Sequence, residues 1–97
     1  MFTPIKLDRM RNFRYGMKAI SLIEKKLNTK ISNLDMENMS MEETATLIWA
    51  GLVWEDKDLT VDRVMDIIDE NSNFVEVIKV MGEAFTAAFG NGESEKK

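Results

Sequence analysis

The sequence predicts an all-α fold, a small single-domain bundle of four main helices plus a short helical turn, with a flexible N-terminal arm and C-terminal tail. Three observations carry that expectation. Apolar residues recur at steps of three and four along successive stretches, the spacing of one helix face. Ser40 and Glu43 stand three apart ahead of an apolar run, the pattern of a capping box. No stretch alternates with period two for long enough to argue a sheet. With 97 residues the chain can build one hydrophobic core and not two.

Residues 1–12 show no clean period, and Pro4 discourages an early helix. They read as an extended or docked arm anchored by Phe2, Ile5 and Leu7. The helical domain then spans 13–90. Phe13, Met17, Ile20, Ile23 and Leu27 define the face of a first helix, with Leu22 on its flank, and Asn28 ends it. Ile31 and Leu34 allow one further turn. After Ser40 a helix runs to Trp54, apolar on nearly all sides from Ala45 onward, so it is expected at the centre. Ala50 and Gly51 in it would let a neighbour approach closely. The charged loop 55–59 follows, and Thr60 caps a third helix with Val61, Val64, Met65 and Ile68 on its inner face. Ser72 or Asn73 caps a fourth, carrying Phe74, Val77, Ile78, Met81, Phe85 and Ala88 or Phe89 to a stop at Gly90. Residues 91–97 are polar and read as a disordered tail.

Composition narrows the function. The chain is 44% hydrophobic and 31% charged, with no cysteine and no histidine. Thiolate and imidazole nucleophile systems, disulfides and the commonest transition-metal ligands are therefore absent from it. No apolar run approaches the roughly 20 residues that span a bilayer, and no signal-peptide core opens the chain. The expectation is a cytoplasmic, non-catalytic module with no cofactor and no membrane partner.

Asp56, Asp58 and Thr60 occupy positions 1, 3 and 5 of a calcium loop, but Val61 stands where glycine is needed and Ile67 where glutamate is needed. Asp69, Asn71 and Asn73 fail in the same way, with Phe74 and Val80. The pairs Asp62/Asp66 and Asp66/Glu70 lie one helical turn apart and read as a solvated face rather than an acid/base pair. No glycine-rich phosphate loop occurs.

Charge is unevenly divided. Residues 1–30 hold eight basic and two acidic side chains, a net of +6, and residues 31–97 hold five and fifteen, a net of −10. A basic half can contact nucleic acid, or the two halves can attract each other within a chain or between chains. The candidate recognition helix, Thr60 to Glu70, opposes the first option. It carries Asp62, Asp66, Asp69 and Glu70 against the lone Arg63, and phosphates would repel it. Nucleic-acid binding by the basic arm stays as the alternative function, that of a small DNA-binding regulator. Eight methionines complete the picture. Met10, Met17, Met65 and Met81 fit core faces. The Met36, Met39 and Met41 cluster reads either as gap-filling or as an adaptable apolar surface for a flexible partner.

The segments RYGMKAI (14–20) and IEKKL (23–27), then ISNL (31–34), TLIWAGL (46–52) and DLTVD (58–62), in this order, resemble the tail assembly chaperones of long-tailed phages, of Gram-positive prophages and of gene transfer agents. The likeness covers about residues 13–90 and includes no catalytic motif. It implies a small helical chaperone in virion morphogenesis. Such a protein binds the tape measure protein, keeps its hydrophobic helices soluble and helps recruit the tail tube protein. The resemblance also implies a longer form made by frameshifting. Lys96-Lys97 is compatible with a slippery site and equally with a plain polar tail. A charge-split chaperone could form a homo-oligomer. Its basic edge (Arg9, Arg11, Arg14, Lys18) would then meet the acidic edge (Glu55, Asp56, Asp58, Asp62) of a neighbouring copy.

Overall fold

The structure is a computed structural model that describes residues 3–35, 38–71 and 73–89. It is mostly helical, but the expectation of a purely α fold and a flexible arm is corrected at the N-terminal end. Thr3–Lys6 (β1) and Met10–Phe13 (β2) form a two-stranded antiparallel sheet, with Thr3 opposite Phe13 and Ile5 opposite Arg11. Ile5 and Leu7 are buried, as expected of anchors; Phe2 lies outside the described residues. Arg11, Phe13 and Tyr15, each two positions from the next, point inward, while Arg14 is exposed. This is the period of a half-buried strand. Pro4 is exposed on a strand with only one neighbour, where its missing N–H costs nothing.

The hairpin is part of the core. β1 lies against the last helix and β2 against the central one. The Arg14 N–H donates to the Gly51 carbonyl at 2.9 Å. Because residues 10–13 are strand, the first helix starts later than its apolar spacing predicts: α1 is Met17–Leu27. Phe13 consequently belongs to β2, and Met17, at the very start of the helix, is 90% exposed instead of facing the core. Ala19 and Ile23 take the inward positions. Asn28 ends α1 in the left-handed region at φ 54°, as its chemistry allows. A single 3-10 turn follows at Ile31–Asn33, tied by the Ile31 N–H to the Glu24 carboxylate at 2.9 Å.

Helix α2, Met41–Leu52, is the central element, with eight of its residues buried. The capping box is formed. The Glu43 N–H donates to the Ser40 hydroxyl at 3.1 Å, and the Ser40 N–H donates to the Glu43 carboxylate at 2.9 Å. Helix α3, Val61–Asn71, begins at Thr60, whose hydroxyl accepts the Arg63 N–H. Val64 and Ile68 are buried as expected, while Ile67 is buried too and Val61 and Met65 are half-buried. Asn73 caps α4, Phe74–Phe89, accepting from the N–H groups of Val75 and Glu76. Val77 and Met81 reach the core; Ala84 joins them, Phe85 is half-buried and Ala88 is exposed. The alternative cap Ser72, the stop at Gly90 and the tail lie outside the described residues.

Tyr15 joins the hairpin to the helices. Its hydroxyl donates to the Leu47 carbonyl at 2.7 Å. Its ring stacks on Phe13 with centroids 5.9 Å apart and meets Phe85 edge-on at 5.0 Å. Burial pushes the phenol above its ordinary range, so the folded protein keeps it protonated where an unfolded chain ionises near pH 10. A group raised on folding stabilises below its unfolded pKa and loses that contribution as pH rises beyond it. Stability should therefore fall above about pH 10, by up to about 1.4 kcal/mol per pH unit. Tyr15→Phe, at a cost of about 1 kcal/mol for the lost hydrogen bond, should remove this share of the slope. Urea titrations at pH 8 to 11.5 check it; an unaltered slope in Tyr15→Phe would refute the assignment.

Candidate partner-binding surface

Among the described residues no group of three or more acidic side chains is placed to hold a metal ion, and no helix is long and apolar enough to cross a membrane. The buried polar groups are structural. The Thr44 and Thr46 hydroxyls donate to the Ser40 and Glu42 carbonyls one turn back. Arg11, 4% exposed, forms a two-pronged bond to Asp8 at 2.7 and 2.9 Å and reaches Asp56 at 3.3 Å.

That pairing bears on the two charged edges. Within this one chain Arg9 and Arg11 both meet Asp56, and the Glu55 carboxylate accepts from the Asn12 N–H and side-chain amide. The attraction between the halves is thus satisfied internally at these positions, so Arg9, Arg11, Glu55 and Asp56 are not an idle edge waiting for a neighbour. Arg14 lies over the Trp54 ring at 5.4 Å, and Lys18, Asp58 and Asp62 are exposed. The Arg11 guanidinium holds the Asp8 carboxyl below the usual carboxylate range. A group lowered on folding stabilises above its unfolded pKa, so this share is lost as pH falls below about 4. Arg11→Leu should cost about 2 kcal/mol, because Asp8 and Asp56 lose their buried partner but can partly rehydrate. It should also flatten the acid limb of a stability–pH curve measured by urea unfolding.

Of the methionine cluster, Met36 lies outside the described residues. Met39 is half-buried against the core and Met41 is 64% exposed. Met41, Ala45, Met65, Ile68 and Phe74 line a shallow apolar groove of about 390 Å³ between α2 and α3, with Asp69 at its edge. A second groove of about 400 Å³ lies between the start of α1 and the end of α2. Its apolar walls come from Met17, Ala19 and Leu22 on one side and Ala50, Val53 and Trp54 on the other, and its charged residues are Arg14, Lys18 and Lys57.

The electrostatics of this second groove follow from the local sequence. Helices α2, α3 and α4 each have a side-chain cap and an acidic residue in the first turn. Helix α1 starts at Gly16 with no side-chain cap and no acidic residue there, and Lys18 stands in that turn. Its positive end is left uncompensated beside three cationic side chains.

Sequence reasoning placed Met17 in the core and did not single out Leu22, Val53, Trp54 or Lys57 as a surface. The available signal was Gly16, a residue disfavoured inside a helix, which stands between Phe13 and Met17. Comparison with protein-family models, curated proteins and solved structures finds no match to this chain.

Proposed function

We propose that this protein is a non-catalytic tail assembly chaperone of a phage or prophage, which acts in the bacterial cytoplasm. It binds the tape measure protein and helps bring in the tail tube protein. The observation that carries the reading is where apolar surface is left uncovered. The most exposed large apolar side chains among the described residues are Met10, Met17, Met41 and Val75, so three of the four are methionines. Methionine is flexible and polarisable, and it adapts to varied apolar partners. Met17 and Met41 each stand on an apolar groove. A protein that shields long apolar helices needs such surfaces and needs no reactive group.

The regulator alternative has weaker support. Arg11 is buried against two carboxylates, Arg9 leans on Asp56, and the exposed positions of α3 are largely acidic.

Co-expression with the tape measure protein of the same gene cluster, followed by pull-down and size exclusion, tests the proposal. The expected result is a tape measure protein that is soluble and co-elutes only when this chain is present. A tape measure protein that stays insoluble and unbound would rule the function out.

A further inference from the structure

We infer that the groove between α1 and α2 docks an amphipathic helix of a partner protein whose apolar stripe is flanked by aspartate and glutamate. This rests on the partner-binding reading above and specifies its chemistry. The groove is apolar along Leu22, Ala50, Val53 and Trp54, and Met17 rises at its lip 90% exposed. Every charged residue lining it is basic, although the chain carries a net −4. Among the described residues Arg14, Lys18 and Lys57 make no ion pair. The acidic neighbours in the adjoining turn do not cancel them: Glu55 is bonded to Asn12, Asp56 to Arg11, and Asp58 does not line the groove. An apolar trough with a one-signed rim selects a helix by its apolar anchors at i, i+3, i+4 and i+7 and by complementary charge beside them.

Neither residues 90–97 nor a second copy offers this occupant. Residues 90–97, GNGESEKK, contain no large apolar side chain. Helix α3 of a second copy is suitably acidic, but its apolar residues Val64, Ile67 and Ile68 are buried in its own core.

The test uses the full chain and two synthetic helical peptides. One has leucine at i, i+3, i+4 and i+7 with glutamates beside them; its twin has lysine in place of each glutamate. Binding is read from the methionine methyl resonances. The glutamate peptide should shift the Met17 methyl and bind roughly tenfold tighter than its twin at low salt, as two or three exposed charge pairs allow. The double substitution Lys18→Glu/Lys57→Glu, at exposed positions, should reverse the preference while leaving the circular dichroism unchanged. Equal affinity for the two peptides, or a preference that survives the charge swap, would overturn the inference. So would shifts at Met41 in place of Met17, or binding to phosphatidylglycerol vesicles with none to either peptide.

The same variant separates this inference from the chaperone function. If wild type and Lys18→Glu/Lys57→Glu solubilise the tape measure protein equally, the groove assignment fails and the function stands. If neither solubilises it while the peptides behave as expected, the function fails and the groove assignment stands.

Discussion

Phe13→Ala should destabilise the protein by about 3–5 kcal/mol, the usual loss when a fully buried aromatic is truncated. Phe13 is 1% exposed, stacks on Tyr15 and approaches Gly51 of the central helix. Its removal leaves a cavity where β2, α2 and Tyr15 converge, and a core this dense collapses only partially into such a space. Against the 5–15 kcal/mol typical of a domain this is a large fraction of the whole. The urea midpoint followed at 222 nm should fall sharply with an unchanged slope. If the hairpin were a loosely attached arm, the midpoint would scarcely move.

Substitution at Gly51 should be nearly as damaging, and in a direction opposite to helix propensity. A Cβ there would sit 2.6 Å from the Tyr15 ring, 2.7 Å from its hydroxyl oxygen and 2.8 Å from the Phe13 ring. Alanine in a helix gains about 1 kcal/mol over glycine. The rings, however, cannot withdraw without losing their stacking and the 2.7 Å bond to the Leu47 carbonyl. Overpacking of this kind costs about 1–3 kcal/mol, so Gly51→Ala should be destabilising on balance, and Gly51→Val should cost about 3 kcal/mol or more. Because Phe13 is one of the obstructing rings, Gly51→Ala should be better tolerated in the Phe13→Ala background. The double-mutant cycle should show a favourable coupling above about 0.5 kcal/mol. Simple additivity of the two substitutions would contradict this packing.

The parts of the structure legible in the sequence are those fixed locally. The box at Ser40 and Glu43, the caps at Thr60 and Asn73, and the left-handed Asn28 each involve residues within four positions of one another. The burial of α2 is written in its near-continuous apolar run. The hairpin was hidden by Arg11. Strands of four residues give few points on which to recognise alternation. One of the inward positions holds an arginine, whose burial depends on Asp8 nearby and Asp56 forty-five residues away. An arginine at an inward position breaks the period-two signal, and the apolar spacing from Phe13 to Leu27 then carries the expected α1 back to Phe13. Met17 was thereby assigned to the core.

The groove was illegible for a related reason. Leu22 and Val53 lie thirty-one residues apart and become neighbours only when α1 packs on α2. The internal pairing of Arg9 and Arg11 with Asp56 likewise depends on the hairpin returning beside the turn after α2. A count of charges by halves foresaw the attraction but not its partner. The Met36–Met41 segment was singled out by composition, yet one member, Met39, serves the core. Met17, outside that cluster, is the most exposed methionine described.

The proposed function places the partner on the exposed methionines of the apolar grooves. Its most direct test is a methyl spectrum of the full chain, carbon-13 labelled at methionine, free and co-purified with the tape measure protein. The Met17 methyl should shift or broaden strongly on binding. That of Met81, 3% exposed on the inner face of α4, should stay in place. A complex in which the Met17 and Met41 methyls are both unperturbed would contradict the claim and move the contact to another face of the molecule.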